Sequence, residues 1–229
     1  MVTYVLIHGA GSDSWYWHRV TPLLEARGHA VVAPDLPADD DTAGLAEYAD
    51  AVVEAIGPRR DLILVAQSMA GFTAPLVAAR LPVDLIVLVA AMVPLPGESP
   101  GEWWQNTGHA VAPPDDGDPA ADPWDPVRLF LHDLPPDVRA EAMAHGRDQS
   151  NTPFEKPWPL HAWPDVPTRF LLCRHDRFFP AEFQRRVVEH RLGITPDEMD
   201  GGHLPALAHP DELVDRLETY RAALAGSGA

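Results

Sequence analysis

Through the first 94 residues, short apolar runs rich in β-branched side chains alternate with longer stretches whose apolar positions recur at helical spacing. Residues 3–8, 30–34, 61–67 and 84–91 predict strands. Between the second and third of these, Leu45, Tyr48, Ala49, Val52, Val53 and Ile56 fall on one helical face, with Thr42 as the expected N-cap and Gly57 as the stop. Near-continuous apolar strands separated by helices predict a mostly parallel sheet of about six strands, because right-handed crossovers place helices on both faces.

The pattern changes at Leu95. The 73 residues 95–167 hold 14 of the 25 prolines, five of the seven tryptophans and -9 of the formal net charge of -17. Residues 113–126 contain five Pro and five Asp and predict a solvated connector, whereas 127–134 and 136–145 predict short helices. We therefore expect a small helical cap insertion at 95–167 between two parts of one core, 1–94 and 168–229. Its tryptophans are expected to close a small core of their own, some of them lining a pocket. After it come a strand at 168–173, a helix at 181–192, a weaker strand at 194–200 and a last helix from Pro210 to about Ala225, with Gly226 past its end.

Composition narrows the function classes. With 46% apolar residues in 229, the chain can bury a sizeable core and is not disordered. The longest apolar run, 85–95, is interrupted by Pro94 and is about half the ~20 residues a membrane-spanning helix needs. No secretory signal is visible in the opening residues, so a cytoplasmic location is expected. An acidic chain with one lysine, Lys156, and no basic run repels phosphate backbones, which excludes nucleic acid as an expected partner. The lone Cys173 sits in an apolar run and reads as a core residue.

Chemistry enters at Ala66-Gln67-Ser68-Met69-Ala70-Gly71, where the third strand meets a helix. A serine on a sharp strand-to-helix turn needs small residues two before and two after it, normally as G-x-S-x-G. Here both are alanine, which meets the steric need in another form; the alternative is a serine capping an ordinary helix. Pro75 is expected to kink that helix. A serine nucleophile needs a base and an acid. Asp176 follows the strand at 168–173 and His203 follows the last strand, in the order Ser, Asp, His, and loops at the carboxyl ends of parallel strands open on one edge of the sheet. Read singly, Asp176 is equally a helix-capping loop residue and His203 a surface histidine. His175 is a rival base expected to be exposed or to stand behind the site. The turn His8-Gly9-Ala10-Gly11 can aim a backbone N–H at a developing oxyanion. Gly9-x-Gly11 followed by Asp35 also imitates a dinucleotide fingerprint, but the third glycine is replaced by Ser14, and Trp15-Tyr16-Trp17 is bulky where a pyrophosphate would sit. No H-E-x-x-H or similar metal spacing occurs among the 11 histidines.

With these residues in place the chain resembles the α/β-hydrolase superfamily, and within it the plant methyl esterases and hydroxynitrile lyases with their bacterial relatives. The resemblance is strongest over 5–36 and 176–184 and weak across 95–167. It implies the α/β-hydrolase fold, a triad of Ser68, His203 and Asp176, oxyanion N–H groups from Ala10 and Met69, and no cofactor or metal. The family's lyases carry a threonine after the histidine of the first turn and a lysine after the catalytic histidine. Gly9 and Leu204 stand at those positions, as in an esterase. The expected activity is cleavage of a small neutral ester, lactone or thioester through an acyl-enzyme, with a small apolar molecule as partner and a homodimer left open. Two other classes stay in view: lyase or cyclase use of the same triad, and a ligand-binding module on a degenerate scaffold.

Overall fold

A computed structural model describes residues 1–110 and 122–227. Six strands, β1 (Thr3–Ile7), β2 (Ala30–Val32), β3 (Leu62–Gln67), β4 (Leu85–Val89), β5 (Thr168–Cys173) and β6 (Asp197–Met199), form one sheet in the order β2-β1-β3-β4-β5-β6. Every pairing is parallel. The four central strands are mostly apolar because both faces are covered, and Val5, Leu64 and Leu88 point to one buried layer while Leu6, Val65 and Val89 point to the other. The outer strands β2 and β6 keep only three residues each, shorter than the predicted 30–34 and 194–200, as suits sheet edges.

Helices α1 (Thr21–Ala26), α2 (Leu45–Ile56), α3 (Ala70–Ala78), α8 (Ala181–Leu192), α9 (Pro205–Ala208) and α10 (Pro210–Ser227) follow successive strands. α2 starts later than Thr42 predicts. Gly44 takes the cap position and donates its N–H to Glu47, while Thr42 spends its own N–H and hydroxyl on Asp40. Pro75 lies inside α3 without ending it, in a helix buried on every side. The last helix runs on through Gly226 to Ser227. Burial pushes the Cys173 thiol well above its usual range, so it behaves as a small apolar core group.

Between β4 and β5 stand α4 (Pro100–Thr107), α5 (Pro126–Phe130), α6 (Pro136–Ala144) and α7 (Thr152–Glu155). Most of the acidic connector expected at 113–126 lies outside the described residues. The tryptophans do not close a separate core. Trp103 and Trp158 are fully buried in the main core, donating their indole N–H groups to the carbonyls of Val93 and Phe72. Trp158 is drawn in by α3, whose Phe72 carbonyl accepts its N–H, and Trp103 by the rings of Phe179 and Phe183, against which it packs at 5.4 and 5.7 Å. Trp163 is half-buried, and Trp124 is exposed.

Candidate active site

Ser68 occupies the turn between β3 and α3 with φ 53°, a left-handed conformation that costs a residue with a side chain on the order of 1 kcal/mol or more. The turn is fixed from both sides: Ser68 N–H donates to Val89 O (3.3 Å), and Ser68 O accepts from Gly71 (3.1 Å) and Met92 (2.9 Å). A Cβ at position 71 would lie 1.8 Å from the Met92 carbonyl oxygen, so only glycine lets the helix start this close to the strand. The most demanding small residue is therefore Gly71. Ala66 and Ala70 carry their methyl groups in the core without conflict.

The structure brings all three predicted side chains together at the carboxyl edge of the sheet. His203 Nε2 lies 3.0 Å from Ser68 Oγ, and His203 Nδ1 lies 2.8 Å from Asp176 Oδ2. Asp176 is buried after β5, and its Oδ1 accepts the N–H groups of Phe178 and Phe179, both at 2.8 Å. His203 is 3% exposed, which excludes a surface histidine. Two bonds hold its turn: Gln67 Nε2 donates to the His203 carbonyl (3.0 Å), and the His175 N–H donates to the Gly201 carbonyl (3.0 Å). Gln67 escaped the sequence reading because its role is visible only once β3 and the His203 turn are adjacent. The His175 ring is exposed and faces Asp200 at 3.6 Å, away from Ser68.

Opposite the serine runs the turn after β1. His8 is buried, and burial lowers its pKa below the ordinary imidazole range. Its partners fix one neutral tautomer: Nδ1–H donates to the Gly9 carbonyl (2.8 Å) and Nε2 accepts from the Leu36 N–H (3.0 Å). A side chain at Gly9 would place its Cβ 2.9 Å from Ser68 Cβ and 2.5 Å from Gln67 Oε1, so a threonine does not fit here unless both give way. The Gly11 N–H donates to Gln149 Oε1 (3.0 Å), and the Gly11 carbonyl accepts from the Arg147 N–H (3.2 Å), which staples this turn to the segment before α7. Ala10 and Met69 both border the cavity beside Ser68. Among the described residues neither of their N–H groups has a protein acceptor. Asp35, the ribose-binding candidate of the dinucleotide reading, instead accepts the Ser14 N–H (2.8 Å), a bond that holds its carboxyl below the usual range.

Ser68 and His203 open into a cavity of about 530 Å³. Its walls come from every layer: Trp15 and Tyr16 after β1, Met92 after β4, Trp104 of α4, Val127 and Phe130 of α5, Ala142 of α6, Phe154 of α7, Phe178 beside Asp176, and Leu204 and Leu207 beside His203. Trp15 is stacked between the rings of His18 (4.6 Å) and His145 (4.3 Å) at its edge. Among the described residues that line it there is no Asp, Glu, Lys or Arg. Arg174 is turned away in an ion pair with Asp200 at 2.6 Å. No three His, Cys, Asp or Glu side chains gather as a metal site among the described residues.

Residues 4–216 match the family model described as the alpha/beta hydrolase family. The chain belongs to the α/β-hydrolase family. Among characterised relatives it is similar to norfluorocurarine synthase 1 of a Strychnos species (26% identical, 94% of this chain and 93% of the relative covered) and to methylesterase 7 of Arabidopsis thaliana (27%, 92% of each). Among solved structures it resembles polyneuridine aldehyde esterase (TM-score 0.80, 22% identical, 96% of this chain and 99% of the other). A pyrethroid hydrolase from Sphingobium faniae JZ-2 is similar to the same degree (TM-score 0.80, 23% identical, 98% and 99%). At these identities the structural likeness is one of fold, and the fold is the α/β-hydrolase fold.

Proposed function

We propose that this chain is a serine ester hydrolase acting on a small neutral ester, lactone or thioester, with residues 95–167 as the cap over its site. The observation that carries this reading is the continuous hydrogen-bonded line from Asp176 Oδ2 through His203 to Ser68 Oγ, at 2.8 and 3.0 Å, at one end of an uncharged cavity. The names of the esterase and methylesterase relatives support the same class. Ser68 Oγ attacks the carbonyl carbon while His203 Nε2 takes its proton, and Asp176 holds the imidazole in the tautomer whose Nε2 is free to accept. The Ala10 and Met69 N–H groups receive the oxyanion of the tetrahedral intermediate. Collapse expels the leaving group, which takes the proton from His203, and water then repeats the cycle on the acyl-enzyme.

The reading is tested with a fluorophosphonate, which should attach to Ser68 alone and end turnover, and with a matched pair of esters differing only in a remote carboxylate. A carboxylate entering a cavity whose described lining carries no Lys or Arg loses its hydration without such a partner, and the acidic surface repels it on approach. The neutral ester should have the higher kcat/KM. Raising ionic strength should narrow the gap by improving the anionic ester only, since the long-range part of the repulsion is screened. Preference for the anionic ester at low salt would show that the uncharged wall does not set specificity. Failure of the fluorophosphonate to label would favour a ligand-binding role instead.

Only neutral imidazole can take the Ser68 proton, so kcat/KM is expected to rise with pH along a single acid limb and then level off. A rate–pH profile measured across the imidazole range checks this; a flat profile at rates limited by chemistry would contradict a histidine base. A second reading, non-hydrolytic use of the same groups, is favoured by the relative named a synthase. Trapping an acyl-enzyme on Ser68 by rapid acid quench argues against it.

A further inference from the structure

The turn that presents His203 is held from a third side by the covering segment. Asp133, just after α5, accepts the Gly202 N–H through Oδ2 at 2.6 Å, one residue before His203. Glycine at 202 leaves room for this contact: a Cβ there would lie 2.9 Å from Asp133 Oδ1 and 2.8 Å from His132 Nε2, so a side chain would require one or both of them to shift. Asp133 Oδ1 and His132 Nε2 are both buried with no protein partner among the described residues, so the carboxylate is only partly spent on the Gly202 bond. The same segment touches the site directly. The Phe130 ring packs 5.4 Å from the His203 ring, and Phe130 and Leu131 form cavity wall.

We infer that Asp133 is a positioning residue for His203: its carboxylate fixes the Gly202 amide, and with it the imidazole. The inference rests on His203 being the base of the proposed hydrolase. The bonds from Gln67 and His175 tie the His203 turn to the edge of the sheet, whereas the Asp133 bond ties it to the covering segment, so each anchors the base from a different element. The other groups facing this carboxylate are His132 on its own turn and His209 beyond α9, with Nε2 3.9 Å from Oδ2. Arg139 of α6 donates to the His132 and Leu134 carbonyls, and Arg177 and Asp176 lie within electrostatic reach of His132.

The experiment compares the wild type, Asp133→Ala and Asp133→Asn in full rate–pH profiles on 4-nitrophenyl butyrate, with Ser68→Ala as the blank. Asp133→Ala frees the Gly202 amide, and a base displaced by a fraction of an ångström to 1 Å should cost roughly ten- to a hundred-fold in kcat with KM within about twofold. Asp133→Asn keeps an acceptor for Gly202 and should restore kcat to within about threefold. Wild-type kcat in Asp133→Ala, a loss confined to KM, or no recovery in Asp133→Asn would each overturn the proposal. Should Asp133→Ala fail to fold, Asp133→Asn decides alone, and a kcat more than about threefold below the wild type, or a loss confined to KM, counts against us. If the wild type itself turns over no faster than the Ser68→Ala blank, the hydrolase reading has failed and not this one.

Discussion

Ser68→Ala is expected to lower kcat on any ester the wild type accepts by on the order of 10⁶-fold, leaving the rate supplied by the oxyanion donors and binding. The magnitude follows from the loss of the attacking atom: His203 and Asp176 have nothing left to activate, so their contributions vanish with it and do not add. The fold should be nearly untouched. Alanine keeps the φ of 53° no more easily than serine does, and the bonds that fix the turn, to Val89, Gly71 and Met92, all use the backbone of residue 68. The only side-chain bond lost is to His203 Nε2, worth about 1 kcal/mol. A thermal melt beside the kinetics separates the effects: unchanged melting with lost turnover is the expected pair, and unchanged turnover of a purified mutant would remove Ser68 from the mechanism.

How much of this was legible from the chain depends on how local each cause is. The central strands could be read because burial on both faces leaves only apolar positions, and the three chemical side chains could be read because a parallel sheet delivers its loops to one edge. Thr42 misled because a cap is decided by competition over a few ångströms: Asp40 captured the threonine, and the Glu47 carboxylate was left to hold Gly44. The tryptophans misled for a wider reason. Nothing between 95 and 167 says which distant partners these side chains will find: the Phe72 carbonyl of α3 for Trp158, and the rings of Phe179 and Phe183 for Trp103. Gln67, Gln149 and Asp133 were silent in the sequence because each acts on a backbone group of another segment: the His203 carbonyl, the Gly11 N–H and the Gly202 N–H. Glycine was the trace they left. Gly9 and Gly202 stand where a Cβ would press on Gln67 and Asp133, and a glycine set by close approach looks in sequence like any turn residue.

Asp176→Asn should lower kcat by about 10⁴-fold with KM almost unchanged, and the hydrogen bonds around Asp176 explain why no rearrangement rescues it. Oδ1 accepts from two fixed donors, the Phe178 and Phe179 N–H groups at 2.8 Å, while Oδ2 meets His203 Nδ1 at 2.8 Å. An asparagine that keeps its oxygen on the two amides must turn its NH₂ toward Nδ1. The imidazole then accepts at Nδ1 and carries its proton on Nε2, where it cannot take the serine proton. The flipped asparagine restores the acceptor for Nδ1–H but aims its NH₂ at two N–H donors that are held by the backbone and cannot turn away. That arrangement forfeits two buried hydrogen bonds, at a cost of about 1–3 kcal/mol for each unsatisfied donor. The first orientation should therefore dominate, with the active tautomer a minor species, and the defect should appear in kcat because Asp176 does not border the cavity. Steady-state kinetics with nitrogen NMR of labelled imidazole checks both halves of the argument. Loss of turnover together with a proton on Nε2 is the expected result. Turnover within tenfold of the wild type would mean that another carboxylate orients His203, and Asp133 would be the first to test.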